Sequence, residues 1–252
     1  MNPETRPRCK LCENKEDLGF SISMAFQPII DYKEKSVFAY EALVRGTDGS
    51  PAYKILEKVN EENIYQFDQK CRTTAIQLAS KLDIKSNLSI NFIPGAVYKP
   101  ETCIRQTLEA AHKYNFPTNK IIFEVIESEK VRDRKHLLSI FQSYAALGFR
   151  MALDDFGEGF SGLNHLLELD PNIIKIDIKL IRDIDKNNKA KLIVKNIKNL
   201  CDDLNIAVVA EGVETVDELR VLLDLKINLF QGYIFAKPKF EGLPDINYLS
   251  IE

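Results

Sequence analysis

Carboxylates and amides close one apolar run after another in this chain. Asp154 and Asp155 end "RMALDD", Glu41 lies in "VFAYEALV", Asn91 comes late in "LSINFI", and Glu124 and Glu127 come late in "IIFEVIE". Lys175 and Asp177 alternate in "IIKIDI", Glu211 closes "IAVVAE", and Gln231 sits in "NLFQGYIF". Two neighbouring aspartates repel each other, and burying either one unpaired is costly. Gathered at one place, these groups form an acidic pocket around a single lysine. An all-oxygen donor set of that kind selects hard divalent cations, Mg²⁺ or Mn²⁺, over zinc. Adjacent aspartates can serve two ions, and two ions about 3.5–4 Å apart are the usual apparatus for in-line displacement at phosphorus.

Each residue taken alone has a plainer explanation. Aspartate at a strand end is often a helix N-cap or an Asx turn. Lys175 alone reads as a surface lysine and Gln231 as a turn residue. The repetition over successive strands argues for a shared site. None of the three histidines falls at an expected strand end, no Ser–His–Asp or Cys–His arrangement is apparent, and there is no Walker A motif. Water activated by a metal is therefore the better candidate nucleophile.

Positioning these groups requires a fold that brings strand ends together. Short β-rich runs ("SMAFQPII", "VFAYEALV", "LSINFI", "IIFEVIE", "RMALDD", "IIKIDI", "IAVVAE", "NLFQGYIF") alternate with amphipathic stretches such as "PETCIRQTLEAAHKY" and "TVDELRVLLDL". Val216, Leu219, Leu222 and Leu223 recur there at helical spacing. Several strands are apolar throughout, as in a parallel sheet covered by helices. Eight such strands in 252 residues predict a (β/α)8 barrel, whose active sites lie at the C-terminal strand ends. A doubly wound open sheet is the main competitor. Only a short polar turn separates the first two strands, so they are expected to form an antiparallel hairpin.

Composition narrows the function classes. The chain is 45% hydrophobic with a net charge of −3, and it has no basic block, which argues against a nucleic-acid polymer as partner. No apolar run reaches the roughly 20 residues of a membrane span. The first 20 residues form a polar leader without a signal-peptide core, so the cytosol is the expected compartment. Five cysteines suit reduced thiols better than a disulfide framework. Cys9 and Cys12 form a C-x-x-C in the leader with no second ligand pair after it, so incidental thiols, a metal knuckle shared between subunits and a redox switch all stay open. Cys71, Cys103 and Cys201 read as small core residues.

The ordered segments "FQPIID", "YEALVRG", "FEVIES", "LDDFGEGFSGL", "IIKID", "VVAEGVET" and "QGYIFAKP" resemble the EAL domain, the cyclic di-GMP phosphodiesterase family, over roughly residues 21–240, within an expected domain of residues 21–252. The resemblance implies an EAL barrel with its first strand antiparallel. It implies two divalent cations, cyclic di-GMP as substrate and linear pGpG as product. Glu41, Asn91, Glu124 and Asp154 match ligands of one ion, and Asp155 matches a residue serving the second. Lys175 matches the lysine that positions or activates the attacking water, and Glu211 and Gln231 match residues completing the metal–water and substrate site. Gln27, Leu43, Arg45 and Asp177 match substrate-side positions, while Glu127 and Glu214 match glutamates that steady the architecture. The family's glycine loop and next helix contribute to a dimer interface, which implies a homodimer through residues 156–167. Leu163, Leu166 and Leu167 are candidates to extend that surface. Glu158, Phe160 and Gly162 depart from the residues usual in the loop, and "NFIPGAVY" matches its segment loosely while keeping the asparagine.

Overall fold

The structure is a computed structural model that describes residues 18–126, 134–159 and 162–249. The leader with Cys9 and Cys12, Glu127 and Phe160 lie outside the described residues. Strands β1 (Ile22–Asp31) and β2 (Ser36–Gly46) form the expected antiparallel hairpin. The chain then runs parallel through β3 (Asn87–Asn91), β4 (Ile121–Ile126), β5 (Arg150–Phe156), β6 (Ile173–Ile176), β7 (Ala207–Ala210) and β8 (Leu229–Phe230). Strand β8 pairs with β1 at Ile30↔Phe230, which closes the barrel and excludes the open sheet.

Helices α1 (Ala52–Leu56), α2 (Ile64–Lys81), α3 (Pro100–Cys103), α4 (Arg105–Lys113), α5 (Arg134–Ala145), α6 (Gly162–Leu169), α7 (Ile178–Ile181), α8 (Asn188–Asp203) and α9 (Val216–Asp224) occupy the connections. No helix follows β1. A short strand not anticipated from sequence, β9 (Lys239–Phe240), pairs instead with Ala25 and Phe26 of β1. The stretch "PETCIRQTLEAAHKY" divides at Ile104 into α3 and α4. Cys71, Cys103 and Cys201 are buried in the core, as expected, and none forms a disulfide. Among the described residues no helix is long and apolar enough to cross a membrane.

Two apolar layers hold the barrel. The larger lies between the strands and the helices and includes Phe26, Ile90, Phe123, Leu153 and Val208. The smaller is composed of Ile29, Ala39, Ile122, Ala152, Ile173 and Val209. Side chains of one strand face repeat every two residues. Two positions beyond Ala39, Ile122, Ala152, Ile173 and Val209 stand Glu41, Glu124, Asp154, Lys175 and Glu211. The inner apolar layer is thus a floor, and the polar residues form the next layer toward the C-terminal rim.

The loops above β6 and β7 are tied by one carboxylate. Glu218 of α9 is buried, accepts hydrogen bonds from the backbone N–H groups of Glu214 and Thr215, and accepts another from Asp183, each at 3.0 Å. Thr215 returns a capping bond to the Glu218 N–H, completing a capping box. Glu218→Ala leaves the Asp183, Glu214 and Thr215 N–H groups without their side-chain acceptor and breaks the capping box. The expected cost is about 1–2 kcal/mol, read as a lower midpoint in chemical denaturation, with a smaller loss for Glu218→Gln. An unchanged midpoint in the alanine variant contradicts the clamp.

Candidate active site

Lys175 organises the polar layer. Its side chain is 1% exposed, and Nζ lies 2.7 Å from Glu211 Oε1, 3.0 Å from Glu124 Oε2, 3.0 Å from Asp154 Oδ1 and 3.5 Å from Glu41 Oε2. Each carboxylate is carried by a different strand or the residue just beyond it. Register delivers them: Glu41 of β2 is level with Gln27 of β1 and with Ser89 of β3, and Asn91 of β3 is level with Glu124 of β4.

Amides and a hydroxyl orient the acids. Asn91 donates through Nδ2 to Glu41 Oε1 at 2.8 Å, and Gln231 donates through Nε2 to Glu41 Oε2 at 2.6 Å. Gln231 also reaches Gln27 Oε1 at 3.3 Å, and Gln27 donates to the Ala236 carbonyl at 3.3 Å. The buried Ser89 hydroxyl donates to Glu124. Sequence reading missed Ser89, although its position two residues before Asn91 puts it on the same strand face.

Two overlapping groups of acids could each hold a cation. Ligand oxygens of Glu41, Glu124 and Asp154 lie within 4.8 Å of one another, and so do those of Asp154, Asp155 and Glu211. Asp154 belongs to both, which is the arrangement expected of a bridging ligand. Asp155 takes part because β5 changes register against β6 between Leu153 and Phe156, where Asp155 adopts φ +52°. A third group, Asp155, Glu158 and Asp177, lies farther along the rim, where Glu158 is already ion-paired with Lys179.

Other expected residues sit differently. Strand β6 ends at Ile176, so Asp177 does not share a strand face with Lys175. Its backbone has turned into α7, and its buried side chain caps that helix by accepting from the Lys179 N–H at 2.9 Å. Gln231 is the first residue beyond β8 rather than part of it. Arg45 bonds the Val44 carbonyl at 2.7 Å. Glu214 accepts from Arg182 at 2.6 Å on the exposed rim, tying the β6 and β7 loops rather than touching the acidic cluster. Leu43 and Asn91 help line an apolar pocket of about 270 Å³ that also includes Met24, Val44, Phe67 and Phe92.

The electrostatics follow from burial and crowding. Five carboxylates (Glu41, Glu124, Asp154, Asp155, Glu211) face one ammonium. Burial, with repulsion from Glu41 and Asp154, pushes Glu124 up to about 8 against the pull of Lys175. Burial and the neighbouring Asp154 and Glu41 hold Glu211 well above the carboxylate range. Burial and Asp154 raise Asp155 to about 6. Burial also works against ionised Glu41, but Lys175 and the Gln231 and Asn91 hydrogen bonds outweigh it and lower its pKa. Desolvation opposes the charge on Lys175, yet the surrounding acids hold its pKa far above the ordinary lysine value. The all-oxygen donor set fits hard cations, whose binding would displace these protons.

Comparisons with known proteins agree with this geometry. Residues 16–238 match the EAL domain family model. A standalone versatile EAL protein from Vibrio cholerae O395, solved with c-di-GMP bound, is 51% identical with a TM-score of 0.89, covering 92% of this chain and 98% of that one. Klebsiella pneumoniae BlrP1, solved with manganese and cyclic di-GMP, is 32% identical with a TM-score of 0.85, covering 89% of this chain and 58% of that one. Among curated relatives, the Escherichia coli antirepressor BluF is 32% identical over 88% of this chain and 55% of its own length. The Escherichia coli probable cyclic di-GMP phosphodiesterase PdeG is 30% identical over 84% of this chain and 44% of its own. The chain spans about half the length of these two curated relatives.

The raised acids set a pH dependence for the metal-free protein. The folded state holds the Glu124 proton up to about 8, against an ordinary value of 4.5, so folding binds this proton more tightly. Its contribution to stability is complete below the ordinary value and disappears as pH rises through about 8. In chelator, the thermal midpoint should therefore fall between pH 6 and 8.5, and excess Mn²⁺ should remove most of the fall. A chelated midpoint that rises steadily over this range contradicts the proton-loaded site.

Proposed function

The chain belongs to the EAL domain family, and on that premise we propose that it hydrolyses one phosphodiester bond of cyclic di-GMP, giving linear pGpG, with two divalent cations, Mg²⁺ or Mn²⁺. The observation that carries this reading is the buried Lys175 within 3.5 Å of carboxylates from Glu41, Glu124, Asp154 and Glu211. Five carboxylates against one ammonium leave four negative charges to offset, the charge of two divalent cations. Glu41, Asn91, Glu124 and Asp154 would hold one ion, and Asp155, with Asp154 and Glu211, the other. Bound there, the ions would polarise the phosphodiester and acidify the attacking water.

The remaining roles belong to the chain's own groups. Lys175 spaces the acids and orients the attacking water, and Glu211, 2.7 Å from its ammonium, completes the metal–water site. Gln27 and Gln231 hold Glu41 in its rotamer and face the substrate with Leu43. Arg45, on the same alternating set of β2 as Glu41 and Leu43, suits a phosphate oxygen. Asp177 fixes the rim below the loop that carries Glu158, and Glu127 would restrain the glycine loop. Glu214 contributes by joining the loops above β6 and β7.

One observation favours a second reading, a domain that binds cyclic di-GMP or a protein without turnover: a relative 32% identical to this chain is named an antirepressor. Incubating purified protein with cyclic di-GMP and Mg²⁺ or Mn²⁺, with products separated by chromatography, decides between them. Linear pGpG is expected from the wild type and none from Asp154→Asn or Glu41→Gln, whose folds should persist because volume is conserved. Wild-type rates in either variant remove the two-metal assignment.

The assembly reading concerns α6. Leu163 and Leu167 are 69% and 84% exposed, whereas Leu166 is buried against the barrel and does not belong to that surface. Helical geometry explains the division, since Leu167 falls on one side of Leu163 around the helix and Leu166 falls on the other, with Leu169, toward the barrel. Leu163 and Leu167 would pair with a second copy in a two-fold homodimer. Light scattering should give twice the chain mass for the wild type and less for Leu163→Glu/Leu167→Glu. A monomeric, fully active wild type at every concentration and metal condition rules out this dimer and its coupling to activity.

A further inference from the structure

Behind the acidic cluster, on the helix side of the strands, lies a charged group that the proposed chemistry does not use. Arg72 of α2 is 0% exposed, and no fully buried side chain in the described structure is larger. Its Nη2 meets Asp68 Oδ2 at 2.7 Å, one helical turn earlier, and its Nη1 donates to the Tyr144 hydroxyl of α5 at 2.9 Å. The guanidinium carbon stands 5.3 Å from the Phe92 ring centre, 5.0 Å from Phe123 and 5.6 Å from Tyr144. The other Asp68 oxygen accepts the Ile93 N–H at 3.0 Å.

A buried ion pair is a poor stability device, because the desolvation of two charges consumes most of their attraction. Apolar residues of similar volume would fill this space as well. What the pair adds is direction. Phe92 follows Asn91 and Phe123 precedes Glu124, so two of the three rings around Arg72 are chain neighbours of residues assigned to the first cation. The N–H held by Asp68 lies two residues beyond Asn91. Phe92 also bonds across to the Glu124 carbonyl at 3.0 Å, so β3 and β4 leave the barrel as one braced unit.

We propose that Asp68 and Arg72, with Tyr144, are positioning residues that fix the ends of β3 and β4 and so preset Asn91 and Glu124 for the cation. This rests on the metal reading above. Partners behind the ligands of a metal typically change its affinity or the activity by about 10–100-fold when removed.

The test is Mn²⁺ titration by calorimetry, together with kcat and KM. The main variant is Asp68→Leu/Arg72→Met, which replaces both charges at once and leaves no lone buried ion. The expected result is a folded protein whose Mn²⁺ dissociation constant rises about 10–100-fold, with kcat reduced and KM little changed. A folded double variant that binds Mn²⁺ within twofold of wild type overturns the proposal. Should the double variant not fold, Tyr144→Phe decides: about threefold or more weaker Mn²⁺ binding supports positioning, and unchanged binding overturns it. Wild-type protein that takes up no Mn²⁺ defeats the metal reading itself, a result obtained before any variant is compared.

Discussion

An ammonium ion enclosed by four carboxylates is the constraint on which the rest of this structure depends. Lys175 cannot ionise in a barrel interior unless opposite charge surrounds it, and the acids cannot ionise together without a cation among them. Each acid lies on its own strand, so the cluster forms only when every register is correct. A one-residue slip of any strand would turn its carboxylate toward the helices and put an apolar side chain in its place. The apolar floor guards against that slip. Ala39, Ile122, Ala152, Ile173 and Val209 must meet one another for the floor to pack, and when they do, the residues two positions onward meet as well.

The reversed first strand has a purpose within the same scheme. In β1 the floor residue is Ile29, and the strand runs opposite to its neighbours, so the group that reaches the polar layer lies two residues earlier, at Gln27. Pairing Gln27 directly with Glu41 puts an amide rather than another carboxylate against the acid. Gln231 arrives from the other side of the seam and completes the contact. The seam where β8 meets β1 is thus lined by neutral amides, and negative charge is concentrated on the strands nearer Lys175.

Most of this was legible because it depends on period and order. Strands of alternating or continuous apolar character, each ending in an acid or amide, are enough to imply a parallel barrel with its site at one rim. The hairpin was legible because four residues cannot hold a crossover helix. What escaped reading depends on three-dimensional neighbours. Asp177 looked like a strand residue because Ile176 and Ile178 flank it, but the backbone turns there and its carboxylate becomes a cap. Leu166 looked like its neighbours Leu163 and Leu167 until α6 was placed against the barrel. Asp68 and Arg72 show only an ordinary i,i+4 pair, which on most helices is a solvated surface contact. Nothing local announces that aromatic rings enclose them.

The adjacent aspartates are explained by a break in the rule that positions everything else. Strict alternation would send Asp154 and Asp155 to opposite faces of β5, one into the site and one among the helices. The register of β5 against β6 shifts between Leu153 and Phe156, and Asp155 takes a left-handed backbone with φ +52°. A bulge of this kind inserts an extra residue and re-aims a side chain. Asp155 is thereby brought within 4.8 Å of Asp154 and Glu211 instead of being turned away. Left-handed backbone costs about 1–2 kcal/mol for most side chains, and aspartate is among the few that visit it routinely. Phe156 then resumes pairing with Ile176, so the irregularity is confined and the barrel stays closed. The residue type that the proposed second cation would take as a ligand is also one that can occupy the bulge. That coincidence of backbone tolerance and carboxylate chemistry is why the pair can be two consecutive aspartates and not two acids spaced along the strand.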